Sequence, residues 1–449
     1  MGKLFGTDGV RGKANVYPIT PDMAMNIGRA TASILGAGRR SGLKAVVGKD
    51  TRLSGYMLES ALTSGLLSIG MDVLEVGPMP TPAVAHLIKS MGAACGFMIT
   101  ASHNPAHDNG IKIFGGDGFK LPDAVEEQIE ELVLSQDYSK MNALPEIIGR
   151  ASRIDDARGR YIEFAKSSIR NHSLKGLRIV LDCANGAAYS IAPLIFRELG
   201  AEVIVTSNMP NGLNINDKCG ATCIAHASEL VRAYKADVGI SLDGDADRVI
   251  FCDADGNEVN GDRIIGLCAL DLMERGCLAG NTVVITNMSN LGLHEAMAKA
   301  GIRIEETQVG DRYVLERMRQ GNFNLGGEQS GHVIFMDYAS TGDGIITALH
   351  VLKIMMTRGK KLSELAAFME EFPQVLKSIP VREKKPLSEV PALLRVIADC
   401  EAALHGTGRT IVRYSGTEPK IRVLVEARTQ EQVDLWADRI VQVIKLELC

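Results

Sequence analysis

Short β-branched segments alternate with amphipathic segments along most of this sequence, and this alternation constrains the fold more than any other feature. Segments 54–70 and 188–200 have the apolar spacing of helices, and glycine ends several such segments, as at a helix C-terminus. The segments that predict buried strands are 44–50, 72–77, 97–100, 177–183 and 202–207. Alternation of this kind predicts parallel α/β layers.

The pattern returns a third time at segments 281–288 and 302–309, followed by helical spacing near 342–357. The last part differs, because residues 410–428 predict two strands around a turn and residues 429–447 predict a helix with one apolar face. We therefore expect an α/β protein with three similar mixed or parallel α/β domains and a C-terminal α+β domain around a central cleft.

A chain of 449 residues is too long for one hydrophobic core. The expected domains are residues 1–150, 151–256, 257–370 and 371–449. The net charge of -5, without a basic stripe, argues against a nucleic-acid partner. Since no apolar segment is long enough for a signal peptide or a membrane span, we expect a cytoplasmic protein without a membrane partner. Nine scattered cysteines predict reduced thiols.

The first polar loop, at residues 99–114, follows a predicted strand and contains Ser102. Ligand chemistry in open α/β sheets usually lies at such strand ends. A surface turn explains the same residues equally well, because a hydroxyl nucleophile needs a base or a metal to be useful.

The second loop, at residues 241–250, places Asp243, Asp245 and Asp247 at alternating positions between two apolar segments. Clustered carboxylates are costly unless a cation neutralises them, and hard oxygen ligands suit magnesium. We interpret this loop as a magnesium site, with a solvated acidic turn as the alternative.

The third loop, at residues 325–335, is rich in glycine and presents Glu328, Ser330 and His332. Its serine does not have the spacing of a serine-hydrolase elbow. A carboxylate and a hydroxyl on a tight turn can bind neighbouring sugar hydroxyls, although a plain hairpin is the alternative.

The fourth loop, at residues 412–423, gathers guanidinium groups, hydroxyls and accessible backbone N–H groups. This composition predicts a phosphate site, because arginine binds phosphate through two parallel hydrogen bonds. A surface turn is again the alternative. The candidate phosphate ligands are Arg413, Ser415, Gly416, Thr417 and Arg422.

Together and in this order, the four loops resemble those of the α-D-phosphohexomutase superfamily. The resemblance runs from FGTDGVRG near the N-terminus to RYSGTEP near the C-terminus, and so covers essentially the whole chain. FGTDGVRG, TASHNP, DGDADR and GEQSGH together are similar to the bacterial phosphoglucosamine mutase subgroup, in which Gln329 is the marker residue.

The resemblance implies that Ser102 carries a phosphoryl group. It also implies that Asp243, Asp245 and Asp247 bind one Mg²⁺ ion per subunit, completed by an oxygen of the phosphorylated Ser102. Glu328 and Ser330 would bind sugar hydroxyls.

The remaining site residues also follow from the resemblance. Arg413, Ser415, Gly416 and Thr417, assisted by Arg422, would hold the phosphate that is not being transferred. Arg11, Lys112 and His332 would lie near the reacting oxygens as charge stabilisers or proton carriers.

The implied reaction interconverts glucosamine 6-phosphate and glucosamine 1-phosphate, and feeds UDP-N-acetylglucosamine and cell-wall precursor synthesis. Glucosamine 1,6-bisphosphate is the implied intermediate, and either it or glucose 1,6-bisphosphate is the implied activator. The expected partner is a small phosphosugar, and the resemblance also favours a homodimer. The alternatives are a phosphoglucomutase or phosphomannomutase, a metal-dependent sugar phosphatase and a non-catalytic sugar-phosphate sensor.

Overall fold

The computed structural model describes residues 4–6, 8–36, 42–138, 142–415 and 419–449. The strands within these residues are β1 (Val10–Lys13), β2 (Lys44–Lys49), β3 (Asp72–Pro78), β4 (Cys95–Ile99), β5 (Asp108–Gly115), β6 (Ala151–Arg153), β7 (Arg178–Asp182), β8 (Glu202–Thr206), β9 (Val238–Leu242), β10 (Val249–Cys252), β11 (Glu258–Val259), β12 (Thr282–Thr286), β13 (Arg303–Thr307), β14 (Leu325–Gly327), β15 (Val333–Phe335), β16 (Gln374–Pro380), β17 (Gly408–Tyr414) and β18 (Lys420–Ala427).

The α-helices alternate with these strands through the first three sheets, as expected for α/β layers. They are α1 (Pro21–Leu35), α2 (Ser54–Ser68), α3 (Thr81–Ser90), α4 (Asp123–Ser135), α5 (Ala157–Ser168), α6 (Ala192–Glu198), α7 (Ala225–Tyr234), α8 (Gly261–Glu274), α9 (Leu291–Lys299), α10 (Asp311–Gly321), α11 (Gly344–Arg358), α12 (Leu362–Ala366), α13 (Pro391–Ala403) and α14 (Gln430–Glu447).

The first three sheets share one four-stranded arrangement. The strand orders β3-β2-β4-β5, β8-β7-β9-β10 and β13-β12-β14-β15 are equivalent. In each sheet the first three strands of this order are parallel, and the fourth is antiparallel to the third. The repeated alternation in the sequence therefore corresponds to three similar mixed α/β domains.

Additional strands extend two of these sheets. β1 adds antiparallel to β5 and β6 adds parallel to β3, while β11 extends the second sheet beyond β10. The fourth sheet is different, because its strands run β16-β18-β17 and are all antiparallel. The predicted fold class of three similar α/β domains and a C-terminal α+β domain is confirmed.

The central strands are buried because they consist mainly of apolar residues and are covered by helices. Val47 and Phe97 lie on neighbouring parallel strands of the first sheet, and Leu58, Leu62 and Leu66 of α2 belong to the same core. The spacing of these leucines places them on one face of the helix. Burial of such apolar surface is the main stabilising contribution to each layer.

Three elements, α6, β16 and α13, differ from the sequence prediction. The helix predicted over 188–200 is shorter, since α6 begins at Ala192 with Pro193 in its first turn, where a missing N–H is tolerated. In the C-terminal domain, the sequence analysis did not predict β16 or α13. β16 is partly exposed along its length and so lacks a continuous apolar run.

The chain divides into two compact units. One contains residues 1–288 and 301–368, and the other contains residues 289–300 and 369–449. Helix α9 therefore belongs to the C-terminal unit, although it lies between β12 and β13 in sequence. Asn290 exchanges two hydrogen bonds of 3.0 Å with the backbone of Phe372, and Leu291 N donates to Glu426.

No helix within the described ranges is both long enough and apolar enough to cross a membrane.

Candidate active site

Three of the four polar loops occupy the same place in their respective sheets. Ser102 follows β4, the three aspartates follow β9, and Glu328 follows β14. Each of these strands is the last parallel strand of its sheet, and each loop leads into an antiparallel partner strand. Polar side chains at the carboxyl ends of parallel strands are positioned for ligand chemistry.

Ser102 is 1% exposed and lies in the left-handed backbone region, with φ of 52°. Its hydroxyl donates to Asp243 Oδ2 at 2.7 Å, so the serine loop meets the aspartate loop directly. The ring Nδ1 of His103 lies 3.4 Å from the same hydroxyl. Burial, together with Arg248 and Arg11, lowers the pKa of His103 to about 4, so this ring is neutral.

The three aspartates form a compact buried cluster. One carboxylate oxygen from each of Asp243, Asp245 and Asp247 lies within 4.8 Å of the others. Oδ1 of Asp245 and Oδ1 of Asp247 are buried without a hydrogen-bond partner among the described residues. Unsatisfied buried acceptors are costly, and a hard divalent cation with oxygen ligands would satisfy them. The cluster therefore fits a metal ion, and the predicted clustering of these carboxylates is confirmed.

The carboxylates of this cluster respond differently to their surroundings. Burial, and then the neighbouring Asp247 and Asp245, raise the pKa of Asp243 well above its usual range. Burial also opposes ionisation of Asp247, but Lys112 and His332 outweigh it and hold the pKa of this carboxyl well below its usual range. A bound divalent cation would favour the ionised form of all three carboxylates.

Lys112 lies on β5 and is 2% exposed. Its Nζ atom lies 2.9 Å from Asp245 Oδ2, 3.2 Å from Asp247 Oδ2 and 3.3 Å from Asp8 Oδ2. Burial disfavours its charge, but these carboxylates outweigh burial and raise the pKa of Lys112 well above its ordinary value. The structure therefore holds this side chain as an ammonium group against the aspartates.

Arg11 lies on β1, beside the serine loop. Its guanidinium pairs with Asp8, and Nη1 donates to the backbone oxygen of Ala101 at 3.4 Å. The Nε atom is buried without a partner among the residues that the structure describes. This donor is available to an anion beside Ser102.

Asp8, Lys120 and Asp311 extend this charged network, and the sequence analysis did not select them. Lys120 pairs with Asp8 and lies 2.5 Å from Asp311 Oδ2. Asp8 lies within the FGTDGVRG motif, three residues before Arg11, so the sequence contained a motif that could have identified it. Lys120 and Asp311 are 191 residues apart, and no local pattern indicates their contact.

Glu328 and Ser330 lie in the turn between β14 and β15. Glu328 Oε1 accepts from the backbone N–H of Gly310 at 3.1 Å, and its Oε2 lies 3.5 Å from the Ser330 hydroxyl. Ser330 is exposed, whereas Glu328 is buried. The turn can thus present one hydroxyl and one carboxylate oxygen to a polar ligand.

His332 is buried, with Nδ1 3.7 Å from Asp247 Oδ2. Burial opposes protonation of the ring, but Asp247 and Asp311 outweigh it and raise the pKa of His332. The backbone N–H of Gly342, however, donates to Nε2 at 3.0 Å, which requires a lone pair on that nitrogen. This direct contact fixes the tautomer, with the ring proton on Nδ1 towards Asp247.

The fourth loop connects β17 and β18 in the C-terminal unit. Arg413 and Arg422 are directly opposite each other on these two strands. Burial and the neighbouring Arg422 guanidinium lower the pKa of Arg413. Ser415 is buried, and its N–H donates to Lys420 O at 2.8 Å. Gly416 and Thr417, which the sequence analysis also selected, lie outside the described residues.

Comparison with known protein families matches almost the whole chain. The models described as phosphoglucomutase/phosphomannomutase alpha/beta/alpha domains I, II and III match residues 2–140, 159–256 and 260–372. The model of the C-terminal domain of the same family matches residues 376–443.

Two solved structures are similar in fold. A phosphoglucomutase/phosphomannomutase family protein from Burkholderia thailandensis has a TM-score of 0.81 at 23% identity, covering 98% of this chain and 97% of its own. N-acetylphosphoglucosamine mutase of Aspergillus fumigatus, solved with GlcNAc-6P and magnesium, has a TM-score of 0.64 at 19% identity, covering 98% and 95%.

A sequence relative is much more similar. The phosphoglucosamine mutase of Geotalea daltonii is 54% identical over 446 residues, which cover 99% of this chain and 98% of the relative. The chain therefore belongs to the phosphoglucomutase/phosphomannomutase family, within its phosphoglucosamine mutase group, and it is an isomerase.

Proposed function

We propose that the protein interconverts glucosamine 6-phosphate and glucosamine 1-phosphate through a phosphorylated Ser102, and so feeds UDP-N-acetylglucosamine and cell-wall precursor synthesis. The observation that carries this proposal is the 2.7 Å contact between the Ser102 hydroxyl and Asp243. It joins a nucleophile to a carboxylate cluster suited to a divalent cation. The fungal relative solved with GlcNAc-6P and magnesium supports the same substrate class and metal.

Asp243, Asp245 and Asp247 would hold one Mg²⁺ ion per subunit, with an oxygen of phosphorylated Ser102 as a further ligand. The Oδ1 atoms of Asp245 and Asp247, which have no hydrogen-bond partner among the described residues, support this assignment. When bound, the metal would neutralise charge on the transferring phosphoryl group.

In the first half-reaction, the C1 hydroxyl oxygen of glucosamine 6-phosphate attacks the phosphorus on Ser102. The bond between that phosphorus and Oγ breaks, and glucosamine 1,6-bisphosphate forms. After the intermediate turns around, Oγ attacks the phosphorus of the 6-phosphate and the bond between that phosphorus and the C6 oxygen breaks. The C6 oxygen takes up a proton, and glucosamine 1-phosphate leaves. Each complete cycle leaves Ser102 phosphorylated again. If Ser102 loses its phosphoryl group, glucosamine 1,6-bisphosphate or glucose 1,6-bisphosphate would act as the activator that phosphorylates it again.

Arg11 and Lys112 would stabilise negative charge on the transferring group. The Arg11 Nε atom has no hydrogen-bond partner within the described part of the chain, and Lys112 is held as a cation between Asp245 and Asp247. Preorganised cations of this kind supply much of the catalysis in phosphoryl transfer.

A proton must leave the attacking sugar hydroxyl, and Lys112 and His332 are the proposed acceptors. Lys112 is charged in this structure, and the Nε2 lone pair of His332 is already engaged by Gly342. Proton acceptance by either side chain therefore requires a change in its contacts when the substrate binds.

Substrate binding is assigned to the third and fourth loops. Glu328 and Ser330 would bind sugar hydroxyls, since both project from one tight turn. Arg413 with Arg422, together with Ser415, Gly416 and Thr417, would hold the phosphate that is not transferred. The like charge of the opposed arginines supports an anionic ligand there.

The test is to incubate the phosphorylated protein with magnesium and glucosamine 6-phosphate, in parallel with glucose 6-phosphate and mannose 6-phosphate, and follow products by phosphorus NMR. Preferential formation of glucosamine 1-phosphate, absent from a Ser102→Ala variant, supports the proposal. Preference for a glucose or mannose phosphate would reassign the substrate. Release of inorganic phosphate at the rate of sugar turnover would instead indicate a phosphatase.

The family resemblance also supports a cytoplasmic location and a homodimer. Size-exclusion chromatography with light scattering tests the second point. A mass near one subunit, which is 48.3 kDa, would contradict it.

A further inference from the structure

We propose that Arg52 and Asn216 together clamp the backbone of the Ser102 loop and thereby position the Ser102 hydroxyl for phosphoryl transfer; this inference rests on the proposed function. Neither side chain belongs to the four polar loops selected from the sequence. Arg52 follows β2 in the first domain, and Asn216 lies between β8 and β9 in the second.

Arg52 is completely buried, and all of its guanidinium donors are used. Its Nε donates to Asp50 Oδ2 at 2.8 Å. Its Nη2 donates to the backbone oxygens of Ser102 at 2.9 Å and Asn104 at 2.8 Å. Its Nη1 donates to the backbone oxygens of Pro105 and Asp108, the latter at 2.9 Å.

The Arg52 contacts follow the serine loop from the nucleophile to the start of β5. One rigid, planar group with five donors therefore fixes the directions of four carbonyl groups in this loop. A lysine has only three donors on a flexible stem and cannot reproduce this set. The use of a buried arginine here indicates that loop geometry, and not charge alone, is being maintained.

Asp50 links the clamp to Thr100, two residues before Ser102. The Thr100 hydroxyl donates to Asp50 Oδ2 at 2.6 Å, and the backbone N–H of Ser102 donates to the Thr100 hydroxyl at 2.9 Å. Both the N–H and the C=O of Ser102 are thus held by groups connected to Arg52.

Asn216 holds the same loop from the second domain. Its Nδ2 donates to the backbone oxygens of Ser102 at 2.9 Å and Asn104 at 3.1 Å. The carbonyl of Ser102 therefore accepts hydrogen bonds from both domains. Because the aspartate cluster also belongs to the second domain, this bond fixes the serine loop relative to the carboxylates.

The clamp explains how Ser102 keeps a backbone conformation that a non-glycine residue rarely adopts. Its φ of 52° must be imposed by its surroundings, and the clamp supplies hydrogen bonds on both sides of the residue. If the loop relaxed, Oγ would move away from Asp243. Displacements of about 1 Å at a reacting atom can cost about a hundredfold in rate.

The test compares Arg52→Lys and Asn216→Gly with wild type. Glycine at position 216 tolerates the positive φ of Asn216 while removing its donor. The matched control is Arg409→Lys. Like Arg52, Arg409 donates to a carboxylate, Glu426 Oε2 at 2.7 Å, and to a backbone oxygen, that of Ser289. All of these residues belong to the C-terminal unit and not to the serine loop.

The first readout is hydrogen–deuterium exchange of the backbone amides of residues 101–108, which does not require turnover. We expect faster exchange in both clamp variants and unchanged exchange in the control. Unchanged exchange in folded Arg52→Lys and Asn216→Gly, with folding checked by thermal unfolding, would overturn the clamp.

The second readout separates kcat from KM. We expect kcat to fall about 10- to 100-fold in Arg52→Lys, with KM for the sugar phosphate and the calorimetric magnesium affinity within about twofold of wild type. Faster exchange with wild-type kcat would overturn the positioning role. If wild type turns over no sugar phosphate, the proposed function fails, and the exchange readout still decides whether the clamp exists.

Discussion

The Ser102 hydroxyl and Asp243 Oδ2 are joined by a hydrogen bond of 2.7 Å between residues 141 positions apart. The serine loop of the first domain is thereby bonded to the carboxylate cluster of the second. The same carboxylate accepts the backbone N–H of Arg248 through Oδ1 at 3.2 Å, so hydrogen bonds orient both of its oxygens. Asp243 thus couples the orientation of the Ser102 hydroxyl, the proposed nucleophile, to that of the acidic turn.

We expect Asp243→Asn to abolish turnover and to weaken magnesium binding by at least about tenfold, because a charged ligand becomes neutral. Without metal, the same variant should unfold at a higher temperature near neutral pH. Burial and two neighbouring carboxylates raise the pKa of Asp243, so its ionised form costs stability above the ordinary aspartate range. Calorimetric titration and thermal unfolding in chelator measure the two effects. A lower unfolding temperature without metal would refute the electrostatic argument.

We expect Arg413→Ala to raise KM for the sugar phosphate by at least about tenfold while leaving the protein as stable as wild type, or more stable. Arg413 faces Arg422 across two antiparallel strands, and like charges opposed in this way repel. Removing one guanidinium relieves the repulsion and removes a phosphate ligand. Steady-state kinetics and thermal unfolding measure both quantities, with the exposed Arg395→Ala as control. An unchanged KM would exclude Arg413 from the phosphate site.

Lys120→Met should destabilise the unit formed by residues 1–288 and 301–368 by about 1 kcal/mol, because half-buried Asp311 loses its lysine partner while Asp8 keeps Arg11 and Lys112. Adding Asp311→Asn should restore part of the loss, since one of the two carboxylates becomes neutral. Urea unfolding of wild type, both single variants and the double variant measures this coupling. Strictly additive effects would show that the contact contributes nothing.

The buried ring of His350 predicts a loss of stability in acid. It stacks on Phe335 at 4.4 Å, and burial lowers its pKa to about 3. Because the unfolded state binds a proton near its ordinary pKa and the folded state does not, the stabilising contribution is present above about pH 6.5 and is lost as pH falls towards 3.

Between about pH 7.5 and about pH 5, this histidine should cost wild type about 2 kcal/mol that a His350→Gln variant does not lose. Urea unfolding at the two pH values measures the difference, and the exposed His405→Gln is the control. Equal pH dependence in wild type and His350→Gln would show that the ring is protonated in the folded state.

Much of the fold could be predicted because its central strands are nearly continuous apolar runs. Segments such as 44–50 and 177–183 correspond to β2 and β7, since strands covered on both faces need apolar residues at most positions. β16 lacks this signal because its residues are largely half-exposed or exposed. Neither an alternation of apolar and polar residues nor a continuous apolar run therefore distinguishes this strand from a loop.

The candidate site was predictable where its chemistry is local. The three aspartates stand within one turn, and their proximity follows from the sequence. The contact of Lys120 with Asp311 depends on which domains meet, and the contact of Arg52 with the serine loop depends on the pairing of β2 with β4 within the first domain. A buried arginine is also indistinguishable in sequence from an exposed one, so Arg52 offered no compositional signal beyond its place after β2.

The C-terminal unit is not a detachable module. Because residues 289–300 belong to it, a fragment beginning at Met369 would lack α9, which supplies Asn290 to Phe372 and Leu291 to Glu426. Gene fusions or domain exchanges with a single breakpoint at that residue would separate partners that pack together. An exchange that keeps these partners together must replace residues 289–300 as well as residues 369–449. Recombination between relatives would therefore need three junctions, one at each end of residues 289–300 and one before Met369.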